Sequence, residues 1–340
     1  MNGVHLFCKT QNVGLNSTEF GDNGKIVWNE IESLIFIAIS TNLTEKTIKS
    51  LLDKAFYGMI FHVGINEIRN IKNVDRFKRE LKSYYQMIEK LIEFSETDLL
   101  DYNETLICQT VEIQEKLNEF SEQTFTPYCC ILSKSKIICA TEGFNDLHVT
   151  DRKLLILMLT QSNALHKDFP IYLPHKSPTV AYRLISMPLI QGIHVCLICG
   201  TYLSYDELEL LSQEFWQNDY ELLITAETSN PRNFPATIDL DSSILGFLLI
   251  NKIQNKFVIS RNIQQAGKRS SHRMDILLSF FHHSVDADDL KQSSFDSQSV
   301  IIKNTEQFYT SDYHKCHALI REDLILCVLY LSAIPTHTMR

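Results

Sequence analysis

The 340-residue chain is long enough for two or three domains, each able to bury a core of its own. Apolar residues make up 44% and charged residues 21%, with 11 Gly and 8 Pro, which excludes a disordered or linker-type protein. The formal charge of -9 argues against non-specific nucleic-acid binding, which needs an excess of Lys and Arg over phosphate, so no nucleic-acid partner is expected.

The nine cysteines are odd in number and irregularly spaced. Met1 to His5 lacks the charged start and long apolar run of a signal peptide. Reduced thiols in the cytoplasm are the expectation. The longest apolar runs, Leu34 to Ile39 and Leu324 to Leu331, fall far short of the ~20 residues of a membrane-spanning helix.

In chain order, residues 12–20 and Lys25 to Asn29 read as two weak strands around the turn Gly21-Asp22-Asn23-Gly24. Leu34 to Ile39 reads as a buried strand. Thr44 offers a helix N-cap, and Ile48, Leu51, Leu52, Ala55, Phe56, Met59 and Ile60 form one apolar face, with Gly64 as the stop. A second helix, capped by Asn73, carries the stripe Val74, Phe77, Leu81, Tyr84, Tyr85, Ile88, Leu91 and Ile92. These elements make a first unit over residues 1–100, and residues 101–124 are a connection in which Glu112 to Phe120 has helical character.

A second unit spans residues 125–224. Tyr128 to Ser133 and Lys136 to Thr141 form a hairpin around Lys134-Ser135, followed by a helix over Asp151 to Leu159. Strands Phe169 to Leu173, Val180 to Leu189 and His194 to Cys199 come next, then a helix over Tyr205 to Trp216 capped by Ser204. The Thr-, Ser-, Asn- and Pro-rich residues 225–242 read as a linker.

The third unit, residues 243–340, repeats the order. Ile244 to Ile250 and Lys256 to Arg261 form a hairpin across Gln254-Asn255, Arg269 to Val285 a helix, and Asp286 to Gln298 a polar loop. Strands follow at Val300 to Lys303 (or Gln307 to Thr310), His314 to Arg321 and Leu324 to Leu331. Hairpin, helix and three-stranded meander describe a five-stranded antiparallel sheet with helices on both faces. The fold class is therefore α+β, as tandem longin (profilin-like) domains.

Candidate chemistry is thin. Cys196-Leu197-Ile198-Cys199 is a formal C-x-x-C, but on a strand residues three apart point to opposite faces. Cys129-Cys130 face apart for the same reason, and buried structural cysteines are the reading of both pairs. His282-His283 near a helix end suits the helix dipole and lacks metal-ligand spacing. Phosphate-cradling and nucleophile-elbow motifs are missing, Asp288-Asp289 reads as solvated, and no catalytic residue, metal or cofactor is expected. Arg69, Lys72, Arg76, Arg79 and Lys82 recur as a basic stripe on the second helix. Its two readings are an ordinary solvated face, or contact with an acidic partner or an anionic membrane.

One stretch goes beyond architecture. Asp168-Phe169-Pro170-Ile171-Tyr172-Leu173-Pro174-His175-Lys176-Ser177-Pro178-Thr179-Val180, running on to Arg183 and Leu184, resembles a segment of the Fuzzy family of planar-cell-polarity effectors, proteins of three longin domains. Asn2 to Phe7, Ile68 to Arg76, Ala140 to Gly143 and Cys196 to Gly200 resemble further segments of that family in the same order, and Pro335-Thr336-His337 fits near the end. The likeness covers residues 1 to about 250 and is weaker beyond.

The resemblance implies a non-enzymatic subunit of the ciliogenesis and planar cell polarity effector complex. Such a subunit pairs with Inturned, joins the WD-repeat protein Fritz, and recruits or activates a Rab-type small GTPase in support of cilium assembly and intraflagellar transport. The implied location is cytoplasmic, on the cytoskeleton at the ciliary basal body. Nucleotide exchange of this kind runs on tighter binding of the nucleotide-free GTPase and needs no catalytic side chain. Family members carry a hairpin and the start of a helix ahead of the Asn2 to Phe7 segment, so the first unit is expected to lack two strands and the last to stop short. That leaves a longin-type trafficking adaptor without exchange activity as the second reading.

Overall fold

The computed structural model describes residues 2–161, 167–261, 270–293 and 305–339, apart from residues 22, 23, 33, 42, 83, 98, 109, 110, 231 and 236. The chain divides into two units, Met1–Leu100 with Thr150–Leu184, and Asp101–Val149 with Ile185–Arg340.

The first unit opens on helix α1 (Asn2–Thr10) and an antiparallel meander β1 (Ser17–Phe20), β2 (Gly24–Ile31) and β3 (Leu34–Ser40). The first strand is shorter than residues 12–20. Asn12 takes φ 57° and the Val13 N–H returns to the Cys8 carbonyl, so these residues close α1 instead of extending. Val27 lies opposite Ala38 and Asn29 opposite Phe36. That face packs on α2 (Glu45–Val63), where Val27 meets Ile48 and Leu52.

Thr44 caps α2 by accepting from the Thr47 N–H. Gly64 ends it at φ 78°, and a Cβ there would stand 2.8 Å from the Tyr172 ring, so both backbone and neighbour require glycine. The expected single buried face of α2 is an underestimate. Lys54, Gly58 and Phe61 are buried as well, because β2 and β3 lie on one side while α5 (Tyr84–Thr97) and β7 (Lys167–Leu173) pack on others.

The expected second helix is two pieces, α4 (Val74–Glu80) and α5, and a short unforeseen helix α3 (Ile65–Arg69) precedes them. Its stripe shifts accordingly. Phe77, Leu81, Tyr84, Met87 and Leu91 are buried, whereas Val74, Tyr85 and Ile92 are exposed. Packing selects Met87, whose sulfur and the neighbouring Tyr84 ring lie over Gly58. Helix α8 (Val149–Gln161), β7 and the start of β8 (Ser177–Ile190) complete this unit. There the buried Asp151 carboxylate holds the turn after Pro174: it accepts the His175 backbone N–H, and Oδ1 lies 2.8 Å from His175 Nδ1. The His175 ring in turn lies 4.4 Å from the Tyr57 ring of α2.

The five-stranded sheet runs β6-β5-β9-β8-β7, where β5 is Cys129–Ser133, β6 is Lys136–Ala140 and β9 is Ile193–Cys199; β8 belongs to the first unit up to Leu184 and to the second from Ile185. Lys134, at φ 55°, turns the hairpin. Helix α9 (Tyr205–Trp216) starts at a capping box in which Ser204 and Glu207 satisfy each other's backbone N–H groups. Trp216, Phe120, Ile131, Val195 and Leu197 lie in the buried core beneath. This part of the chain adds two unforeseen helices, α7 (Glu142–Asn145) and α10 (Tyr220–Thr228), which claims the first residues of the expected linker.

The six-stranded sheet runs β12-β13-β14-β10-β11-β4, with β4 Asn103–Glu104, β10 Ile244–Asn251, β11 Lys256–Arg261, β12 Thr305–Thr310, β13 His314–Ile320 and β14 Leu324–Leu331. In both larger sheets the leading hairpin lies beside the last strand of the meander, one path used twice. Helix α11 (Ser270–Ser293) runs through Asp286 and beyond, so the expected polar loop is helical as far as Ser293; no Gly or Pro interrupts it there. Residues 269, 294–298 and 300–303 lie outside the described residues, and the alternative strand Gln307 to Thr310 falls inside β12.

Residues 101–124 hold structure of their own. Asn103–Glu104 forms β4, parallel to β11 at Lys256 and Phe257, and Val111–Gln123 forms α6. The Thr105 N–H reaches the Phe257 carbonyl and the Leu106 N–H that of Ile137, so one short segment stitches β11 to β6. A polar cluster surrounds it. Lys136 Nζ lies 2.9 Å from Asn230 Oδ1 and 3.8 Å from Glu104 Oε1, and Asn233 donates to Glu104 at 2.9 Å.

Candidate interaction surface

The five basic residues do not share one helix. Arg69 ends α3, Lys72 lies in the loop after it, Arg76 and Arg79 lie on α4, and Lys82 follows α4. The break has a local cause. The Asn70 N–H returns to the Asn66 carbonyl to close α3, and the Asn73 side chain accepts the Arg76 N–H to start α4. All five are exposed.

Two of the five are already paired. Arg69 donates to Glu32 Oε1 from Nη2 at 2.7 Å and Nε at 3.0 Å, and Arg76 donates from Nε to Glu80 at 2.8 Å. Hydrogen bonds to these carboxylates push both guanidiniums above their usual range. Among the described residues, Lys72, Arg79 and Lys82 make no ion pair. The open cation set is therefore three residues, not five.

A cleft of about 430 Å³ lies between α3 and α4. Asn66, Asn70 and Asn73 supply hydrogen-bonding amides, Ile71 and Phe77 apolar surface, and Glu67, Glu80, Lys72 and Arg76 the charges, both carboxylates acting on Arg76. Two carboxylates balance two cations, so the cleft is a neutral hydrogen-bonding surface and not an anion cradle. The amides suit extended backbone, each offering donors and an acceptor. Sequence reasoning saw the charges here and Asn73 as a cap, and missed Asn66 and Asn70; the spacing of the three asparagines is the signal that could have found the cleft.

The cysteines are placed for packing. Cys130 and Cys196 are register partners across β5 and β9, both buried, and Cys196 Sγ lies 3.7 Å from Ser186 Oγ. Burial raises the Cys130 and Cys139 thiols and pushes those of Cys129, Cys316 and Cys327 up to about 12. A thiol held protonated is a poor nucleophile and metal ligand. His282 and His283 are exposed in the interior of α11, not at its end, so the dipole argument for them falls. Among the described residues no His, Cys, Asp and Glu cluster could hold a metal, and no helix is long and apolar enough to cross a membrane.

Three family models match the chain in order. They are the first longin domain of FUZ, MON1 and HPS1 over residues 1–91, the second over 124–217 and the third over 243–340. Curated relatives agree. The chain is 29% identical to the protein fuzzy homolog of Xenopus tropicalis, over all of this chain and 87% of that protein. It is 33% identical to that of Rattus norvegicus and 30% to that of Homo sapiens, in each case over 74% of this chain. Against these two mammalian proteins the match spans 62% of their length, a little under two thirds. Three consecutive longin matches and relatives of a single kind agree with the sheet order, and the chain belongs to the Fuzzy family of three-longin-domain proteins.

Proposed function

We propose that the protein acts by binding other proteins, as a non-enzymatic subunit of the ciliogenesis and planar cell polarity effector complex. In this reading it pairs with Inturned, joins Fritz and brings a Rab-type small GTPase to the cytoplasmic cytoskeleton at the ciliary basal body. The observation that carries the reading is the run of three longin domains of FUZ type along one chain. A protonated, buried set of thiols and a charge-balanced cleft also suit a binding surface better than a reaction centre. Co-expression with Inturned tests it: a stable co-purifying pair is expected, and a chain that elutes alone beside well-folded Inturned overturns it.

The second reading is a longin-type trafficking adaptor without exchange activity. The amide-lined cleft between α3 and α4, which suits an extended peptide, favours it. Release of labelled nucleotide from a Rab-type GTPase by the reconstituted pair separates the two readings. Lys72, Arg79 and Lys82, without an ion pair among the described residues, are the cations a partner or an anionic membrane would meet. Reversing two of them and finding unchanged binding to anionic vesicles and to Inturned removes that role.

A further inference from the structure

Helix α6 closes on two reversed hydrogen bonds: the Thr126 N–H returns to the Ser121 carbonyl and the Phe125 N–H to that of Glu122. This closure puts Phe125 in the left-handed region at φ 52°, a place that glycine fills without strain and a bulky side chain does not. Packing does not offset the strain, because Phe125 is 86% exposed.

A second ring stands at the same end of the sheet. The Ile198 N–H donates to the Tyr128 carbonyl and Thr126 Oγ1 to the Ile198 carbonyl, so the chain after Phe125 enters β5 where β9 leaves the sheet. Just past β9 comes Tyr202, 95% exposed. Single apolar residues at a surface are ordinary. Two nearly bare aromatic rings at one sheet end, one of them held there against its backbone preference, mark a place where something binds.

The charge around them has one sign. Glu122 lies in the last turn of α6 and Asp206 in the first turn of α9. Glu142 opens α7, whose start is held against Pro127 by Thr141 Oγ1 donating to the Pro127 carbonyl. All three carboxylates are exposed, and residues 117–133 and 184–231 contain no Lys or Arg.

We propose that this end of the second domain docks an arginine-bearing segment of a partner protein. Phe125 and Tyr202 are the rings on which guanidinium groups stack, and Glu122, Glu142 and Asp206 are the carboxylates that pair with them. Arginine fits better than lysine, because its planar cation can lie on a ring and fork onto a carboxylate at once. The same carboxylates repel an anionic membrane. The proposal goes beyond the assembly read from the longin domains and does not depend on it.

Fluorescence anisotropy of the full chain with a labelled peptide of alternating Arg and Gly, at ~0.15 M salt so that weak surface attraction is screened, tests it. The wild type should bind this peptide more tightly than its Lys–Gly counterpart, and Phe125→Gly and Tyr202→Ser should each weaken binding about fivefold. Phe125→Gly should also raise the melting temperature by about 2 °C, since it relieves the positive φ and removes no packing. A ring that served the fold would do the opposite. A wild type that ignores the Arg–Gly peptide, or variants that bind it as the wild type does, overturns the proposal. So does a melting temperature lowered by Phe125→Gly, or a wild type that binds anionic vesicles in place of the peptide.

Discussion

β3 and β9 end their meanders in the same way and are both uncharged and mostly apolar apart from His194 in β9, yet they live in different surroundings. β3 reads Leu-Ile-Phe-Ile-Ala-Ile-Ser and is half-buried at almost every position. β9 reads Ile-His-Val-Cys-Leu-Ile-Cys and is buried at five of its seven. β9 lies between β5 and β8 at the centre of a five-stranded sheet, whereas β3 closes one edge of a three-stranded one. The difference teaches that hydrophobicity sets what a strand can bury, and the number of neighbours sets what it does bury.

The sharpest way to break this comparison is a matched pair of truncations. Leu197→Ala in β9 removes a fully buried side chain and should cost about 2–5 kcal/mol by chemical denaturation. Ile37→Ala in β3, half-buried, should cost about 1 kcal/mol. Equal losses would mean that β3 is as enclosed as β9.

Acid should act on the first domain. His62 lies in the last turn of α2, where the helix dipole favours its charged form. Burial wins and lowers its pKa to about 4, and among the described residues Nε2 has no hydrogen-bond partner. The unfolded chain takes up this proton near pH 6.5 and the folded one only near pH 4. Stability present above pH 6.5 is therefore lost as pH falls through that window, by up to about 3 kcal/mol. Denaturation at pH 7 and pH 4.5, with His62→Gln flattening the difference, is the check. A slope that His62→Gln leaves unchanged would assign the acid sensitivity elsewhere.

Thiol labelling sharpens the contrast from the other side. Native protein treated with iodoacetamide at pH 8 should leave Cys129, Cys130, Cys139, Cys196, Cys316 and Cys327 unmodified, since all are buried. Mass spectrometry of the peptides reads this, and rapid labelling of Cys196 would reopen the redox reading of the C-x-x-C. The smallest effect belongs to the surface. Arg79→Glu with Lys82→Glu should leave the melting temperature unchanged, because both are exposed cations without an ion pair among the described residues.

Much of the fold was legible because local signals agree with the tertiary arrangement. Thr44, Asn73 and Ser204 act as caps where their spacing to the following helix says they should. The hairpin turns at Lys134 and Asn255 adopt positive φ at the tight connections between apolar runs. The errors have physical causes as well. Periodicity carried one helix across residues 73–92, but periodicity does not register a break that leaves Phe77, Leu81 and Tyr84 in one core. Composition made Asp286 to Ser293 a loop, although helix propagation needs only the absence of a breaker. The candidate site was half legible: the cations were visible, while Glu32, which pairs with Arg69, is far away in sequence.

By itself the sequence determined most of the strands and longer helices, the absence of a motif for phosphate or nucleophilic chemistry, and the likeness to three-longin-domain proteins. Those follow from local periodicity, capping and short contiguous motifs. Only the tertiary structure decided that α2 is enclosed on several sides, that Asp151 holds the turn after Pro174, that residues 103–106 stitch β11 to β6, and that β3 keeps an edge without a neighbouring strand among the described residues. Each of these depends on which distant segment arrives alongside, and burial and pairing are properties of that meeting rather than of either segment alone.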